Sequence, residues 1–178
     1  MGLMSEIASE PLPPLDLIEG APASPLDTLA AGISTIADFG LAVVLVEGIG
    51  VLRKKRTPLQ AALRLSVVGF SVLGLNILLK RTIGRERPEA AASSSTFARV
   101  PSSPSFPSGH TLAAATAAVA IPTTRAGLGL GLAGAGAVGW SRLRLGAHHT
   151  SDVVGGLGIG IAVGTLLRAV LRTLERRS

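Results

Sequence analysis

Five apolar runs closed off by arginine or lysine leave this chain little choice of architecture; they cover about 29–52, 58–79, 109–121, 125–140 and 152–171. A helix rises ~1.5 Å per residue, so about 20 apolar residues cross a ~30 Å hydrocarbon core with every backbone group paired inside the segment. Only 16% of the 178 residues are charged while 47% are hydrophobic, a balance that suits a lipid-facing surface better than a wetted one. The expected fold is all-α, a polytopic membrane helical bundle of about five transmembrane helices. The first run departs most from this pattern, because it carries Asp38 and Glu47. The third is short, spanning only about 20 Å before Pro122, so a site at its start would lie below the membrane surface.

Residues 1–28 differ in kind. They hold Glu6, Glu10, Asp16, Glu19 and Asp27 with no basic residue, and Pro11, Pro13, Pro14, Pro22 and Pro25 break them up. This reads as an exposed N-terminal arm ahead of a single membrane domain, 29–178. An interfacial helix at Leu12 to Ile18 is the structured alternative within it. The arm lacks the cationic start and central apolar block of a signal peptide. Having no cysteine, the chain offers no disulfide, thiolate metal site or cysteine nucleophile. A net charge of +6 raises nucleic acid as a partner, but the cations sit at the ends of apolar runs and aromatics make up only 3%, too few for base stacking.

The cations also set an orientation. With Arg53–Arg56 cytoplasmic, alternation places ten basic residues inside and seven outside. That puts the N-terminus outside, the C-terminus in the cytoplasm and the outer loops, with the site they carry, at the external interface. One motif misleads: Gly129-Leu130-Gly131-Leu132-Ala133-Gly134 fits the dinucleotide fingerprint, but no strand precedes it. Helix packing explains its small residues better, as it does Gly155, Gly156, Gly158, Gly160 and Gly164. Such glycine-rich faces leave a homo-oligomer open.

Chemistry concentrates in three strings. His148 and Asp152 stand four apart, so a helix beginning there puts both on one face; a carboxylate on one ring nitrogen fixes the tautomer and frees the other to attack. In Pro107-Ser108-Gly109-His110 a turn runs into a helix N-terminus whose free N–H groups suit an anion, and His110 is placed to give and take a proton. Lys80, Arg87 and Arg142 add cations of the kind phosphoryl transfer needs on the equatorial oxygens. Arg81, Arg85, Arg99 and Arg144 read as interfacial anchors.

Together the strings spell K-x6-R-P, P-S-G-H and S-R-x5-H-x3-D, and the set resembles the signature of the type 2 phosphatidic acid phosphatase superfamily. The resemblance implies a membrane lipid phosphatase in which Lys80, Arg87, Ser108, Gly109, Ser141 and Arg142 bind phosphate. His148 would form a phosphohistidine, His110 would serve as acid and then base, and Asp152 would hold His148. It implies no metal and no other cofactor. The vanadium-dependent haloperoxidases share the signature but are soluble and larger. Among subgroups, this compact Ala-, Gly- and Arg-rich chain is most similar to bacterial polyprenyl-phosphate phosphatases, including those acting on decaprenylphosphoryl phosphoribose in cell-wall synthesis. Undecaprenyl pyrophosphate, phosphatidylglycerol phosphate and phosphatidic acid stay open as substrates. A non-catalytic protein binding anionic lipid is the reading from another class.

Overall fold

The computed structural model describes residues 24–38, 40–88 and 103–176. They form six helices: α1 Pro25–Asp38, α2 Leu41–Leu52, α3 Pro58–Ile83, α4 Gly109–Ala120, α5 Arg125–Arg144 and α6 Thr150–Glu175, with no strand among the described residues. The protein is an all-α membrane bundle. By length and apolarity α3 and α6 each cross a membrane, and α1 with α2 forms a third crossing if the pair, bent by 56°, counts as one. Glycines and Arg142 dilute α5 below that measure, and α4 has only 12 residues. Residues 1–23, which hold most of the expected arm and the segment Leu12 to Ile18, lie outside the described set, as do 89–102.

Local chemistry sets most boundaries. Thr57 and Gln60 cap α3 reciprocally, Thr57 Oγ1 accepting from Gln60 N at 3.2 Å and Gln60 Oε1 from Thr57 N at 3.0 Å, with Pro58 in the first turn. Thr124 caps α5 through Gly127 N at 3.0 Å. Ser24 and Asp27 do the same for α1, so that helix starts inside the expected arm, at Pro25 rather than Leu29. The first apolar run is not one straight helix either. Gly40, at φ 58°, takes the left-handed conformation that ends α1 and redirects the chain into α2.

Packing turns the usual soluble arrangement inside out. Large apolar side chains such as Leu52, Leu59, Phe70, Leu130 and Leu166 face outward, where lipid tails take them up. The interior is built from small residues around α4, whose Thr111, Leu112, Ala115, Thr116, Ala117, Ala118, Val119 and Ala120 are all buried. Helix α6 lies against it along Gly156, Gly160 and Gly164. A Cβ on these would come within 2.9 Å of Ser108 O, 2.7 Å of Leu112 O and 2.7 Å of Thr116 O. Backbone thus meets backbone, as small residues at four-residue spacing allow. Gly158 faces open space and Gly155 faces the Phe106 ring, so the stripe is narrower than the composition suggests. Within the false fingerprint only Gly131 makes such a contact, against Ala118, whereas Gly129 and Gly134 meet nothing.

Glu47, foreign to an apolar run, is 1% exposed and explained by its partners. Arg64 Nε donates to it at 2.9 Å and Arg56 Nη1 approaches to 3.3 Å. Arg64 reaches Glu175 and the carbonyl of Ile121 as well, while Arg168 donates to Val119 O at 3.2 Å. These arginines satisfy the carbonyls left over where α4 stops short.

Candidate active site

One end of the bundle gathers the last turn of α3, the first turn of α4, the last turn of α5 and the first turn of α6. The close α4–α6 contact sets this up: Ser108 N donates to Asp152 O at 3.0 Å, joining the starts of both helices. Ser108 is the N-cap residue of α4, fully buried, with its Oγ 2.9 Å from Thr111 Oγ1; Gly109 and His110 open the first turn behind it. Their N–H groups precede the first helical hydrogen bond, Leu112 N to Ser108 O, and so face outward from the helix end.

The cations come from two sides. Gly84 ends α3 at φ 61°, one turn beyond Lys80, and turns the chain back across the bundle end. Ser105 then pins the returning segment, its N donating to Arg85 O and its Oγ to Glu86 O, both at 2.7 Å. Arg87 is held by Ser103 O at 2.9 Å through Nε and by Ala147 O at 2.9 Å through Nη1. Ser103 Oγ accepts from both Lys80 Nζ and Arg87 Nη2 at 3.2 Å and thereby brings the two cations together. On the other side α5 runs one turn further than its apolar stretch, so Ser141 and Arg142 are helical and buried. Arg142 Nη1 bonds Ser34 Oγ of α1. Ser141 Oγ is spent within its own helix on Val138 O at 2.7 Å.

His148 lies between these groups because the chain reverses sharply. Gly146, at φ 64°, permits the turn that lets Gly146 N reach Leu143 O and Ala147 N reach Arg142 O at 2.9 and 3.0 Å. The buried imidazole has Nδ1 3.5 Å from Asp152 Oδ2 and Nε2 3.4 Å from Arg87 Nη1. Burial, reinforced by the charges of Arg87 and Arg142 and opposed by Asp152, pushes its pKa down to about 4. Neutral at ordinary pH, it keeps a lone pair on the nitrogen that faces the cations. Burial likewise lowers the Arg87 pKa from its ordinary value, with Asp152 opposing, although a guanidinium stays charged at any working pH. Asp152 is fully buried and accepts from His149 N at 2.9 Å and from Arg85 Nη1 at 3.1 Å.

Four cations, Lys80, Arg85, Arg87 and Arg142, thus converge where the described residues supply one carboxylate, Asp152. Such an arrangement has the charge to hold an anion and places a neutral imidazole beside it. Among the described residues no three His, Asp or Glu side chains gather as a metal site would require.

Known proteins resemble this chain in sequence and in fold. The PAP2 superfamily pattern matches residues 61–176, a stretch holding all three strings. The chain belongs to the PAP2 superfamily. It is 34% identical over 131 residues to decaprenylphosphoryl-5-phosphoribose phosphatase of Mycobacterium tuberculosis, covering 73% of this chain and 70% of that one. The fold is similar to the crystal structure of a transmembrane PAP2-type phosphatidylglycerolphosphate phosphatase from Bacillus subtilis, with TM-score 0.65 and 28% identity over 87% of this chain and 79% of that one. As a PAP2 protein the chain is a membrane phosphatase, a phosphoric monoester hydrolase.

Two arginines read from sequence as interfacial anchors have other duties in this PAP2 fold. Arg85 bonds Ser151 and the buried Asp152 carboxylate. Arg144 pairs with Asp27 at 2.8 Å and reaches Ser24 at 3.2 Å, tying the start of α1 to the end of α5. The R-x-R spacing of Arg85 and Arg87 carried a signal, since residues two apart in an extended segment point to the same side. Ser103, Thr111 and Gly146 carried none, because each matters through a partner distant in sequence or through a single backbone angle.

Proposed function

We propose that this phosphatase removes the terminal phosphate of a polyprenyl-type membrane lipid by way of a phosphohistidine on His148. The observation that carries the reading is the buried, neutral His148 held between Asp152 and Arg87. Nε2 of His148 attacks phosphorus, the bond from phosphorus to the lipid oxygen breaks, and His110 protonates that oxygen so that the dephosphorylated lipid leaves. His110 then takes a proton from water, whose oxygen displaces His148 and releases inorganic phosphate. Lys80, Arg87, Arg142 and the N–H groups at Ser108 and Gly109 hold the phosphoryl oxygens, and Asp152 steadies the imidazolium character that develops on His148. The site needs no metal.

Similarity to the mycobacterial enzyme supports a decaprenylphosphoryl phosphoribose-like substrate in bacterial cell-envelope synthesis. The structural likeness to a phosphatidylglycerolphosphate phosphatase favours that lipid as the second reading. In both substrates the scissile phosphate sits on a hydroxyl-bearing carbon skeleton. The cation distribution supports an orientation with the site and the N-terminus outside and the C-terminus in the cytoplasm.

Purified protein in EDTA should release phosphate from the phosphoribosyl lipid, and His148→Ala should reduce turnover by at least ~10³-fold. Rapid acid-free quenching should trap a base-stable, acid-labile phosphoenzyme in the parent protein alone. Undiminished turnover in His148→Ala would remove the mechanism. Impermeant labelling of cysteines introduced at Ser93 to Ser95 tests orientation, and labelling only from the cytoplasmic side would reverse it.

A further inference from the structure

Asn76 is a polar residue in α3, a helix long and apolar enough to cross a membrane, and the proposed reaction gives it no task. It lies on α3 four residues before Lys80, hence on the same face and one turn, ~6 Å, deeper toward the bilayer interior. Its amide packs on the first residue of α4: a Cβ at Gly109 would come within 3.1 Å of Asn76 Nδ2 and 3.2 Å of Oδ1. The oxygen is shut off from solvent and, among the described residues, meets no hydrogen-bond donor. A buried acceptor in that state has lost its water without return, and such groups are rare unless something else supplies the donor.

The site's polarity says what that donor is. His110, next to Gly109, stands on the side of the departing lipid oxygen, and the lipid tail must run from there toward the membrane. Asn76, against Gly109 and one turn before Lys80, borders that path. What lies there during reaction is neither phosphate nor tail but the few carbons between them.

We infer that Asn76 determines specificity by accepting a hydrogen bond from a hydroxyl on the carbon skeleton beside the scissile phosphoester, selecting lipid phosphates with hydroxylated headgroups. The inference rests on the phosphatase reading above and deepens it. Phosphoribosyl and phosphoglyceryl lipids both present such a hydroxyl, whereas phosphatidic acid and polyprenyl phosphate do not. A site built around a substrate hydroxyl discriminates strongly against analogues that lack it, because the buried acceptor is then left unpaired.

The test compares kcat/KM of the full-length protein and Asn76→Leu on four lipids: a polyprenylphosphoryl phosphoribose, phosphatidylglycerol phosphate, phosphatidic acid and a polyprenyl phosphate. In Asn76→Leu the preference for the hydroxylated pair over the other two should fall by ~10- to 100-fold. Whichever hydroxylated lipid loses more identifies the headgroup the site is built for. Thermal stability should hold or rise, since the replaced oxygen has no protein partner to lose. Asn76→Ala gives the same readout without added bulk should the leucine variant fail to fold. An unchanged preference overturns the inference, and so does a proportional loss on all four lipids accompanied by a lower Tm. A parent protein that releases phosphate from none of them fails the phosphatase reading itself, and this inference with it.

Discussion

The two ends of the bundle both bury arginine, and they neutralise it differently. At the end remote from the site, Arg64 is 4% exposed and directs its nitrogens at Glu47, Glu175 and the Ile121 carbonyl. At the site end, Arg87 contacts Ser103, the Ala147 carbonyl and the His148 ring, and none of these is a carboxylate. A buried ion pair that is closed on itself holds helices together, and breaking it leaves a stranded charge. A half-buried cation whose own hydrogen bonds go only to neutral groups keeps charge with which to attract a mobile anion instead. The same residue type is therefore structural at one end and chemical at the other, and its partners decide which.

Substitutions sharpen that contrast. Of the arginine substitutions, Arg87→Lys should cost the most activity, ~10²-fold in kcat/KM, because an ammonium cannot span two phosphoryl oxygens; Tm should hardly move. Arg64→Leu should do the opposite, destabilising by about 3–5 kcal/mol as Glu47 loses its closer partner and keeps only Arg56, while turnover per folded molecule stays within about twofold. Loss of chemistry with unchanged Tm in Arg64→Leu would erase the distinction between the ends. Arg85→Gln should cost about tenfold in kcat, since Asp152 keeps His149 N and His148 but loses its charged neighbour. The smallest effect is a titration. With its pKa lowered to about 4, the His148 ring binds its proton only as pH falls through that value, so NMR of the substrate-free protein should show it neutral from pH 8 to about 5. A ring that protonates near 6.5 would mean that neither burial nor the cations bear on it.

Legibility followed the range of each interaction. Unbroken apolar runs and the Thr57, Pro58 and Thr124 caps mark α3 and α5 because capping acts within four residues. The break at Gly40 and the extra helical turn carrying Ser141 and Arg142 were harder, since a lone glycine or a short polar stretch suits either outcome. Glu47 looked like a flaw in a membrane span until Arg64, 17 residues away, and Arg56 accounted for it. Ser141, grouped by its motif with the phosphate binders, spends its hydroxyl on its own helix.

From residue order alone came the membrane character, the helical class and the three strings that mark a PAP2 phosphatase, because hydrophobic length and motif spacing are properties of a line. Which cations stay surplus, which are cancelled by a carboxylate, and that Arg85 and Asn76 belong beside the site were settled only when Gly156, Gly160 and Gly164 let α6 close on α4. Backbone contact at that distance is a property of packed surfaces, and charge balance follows from it.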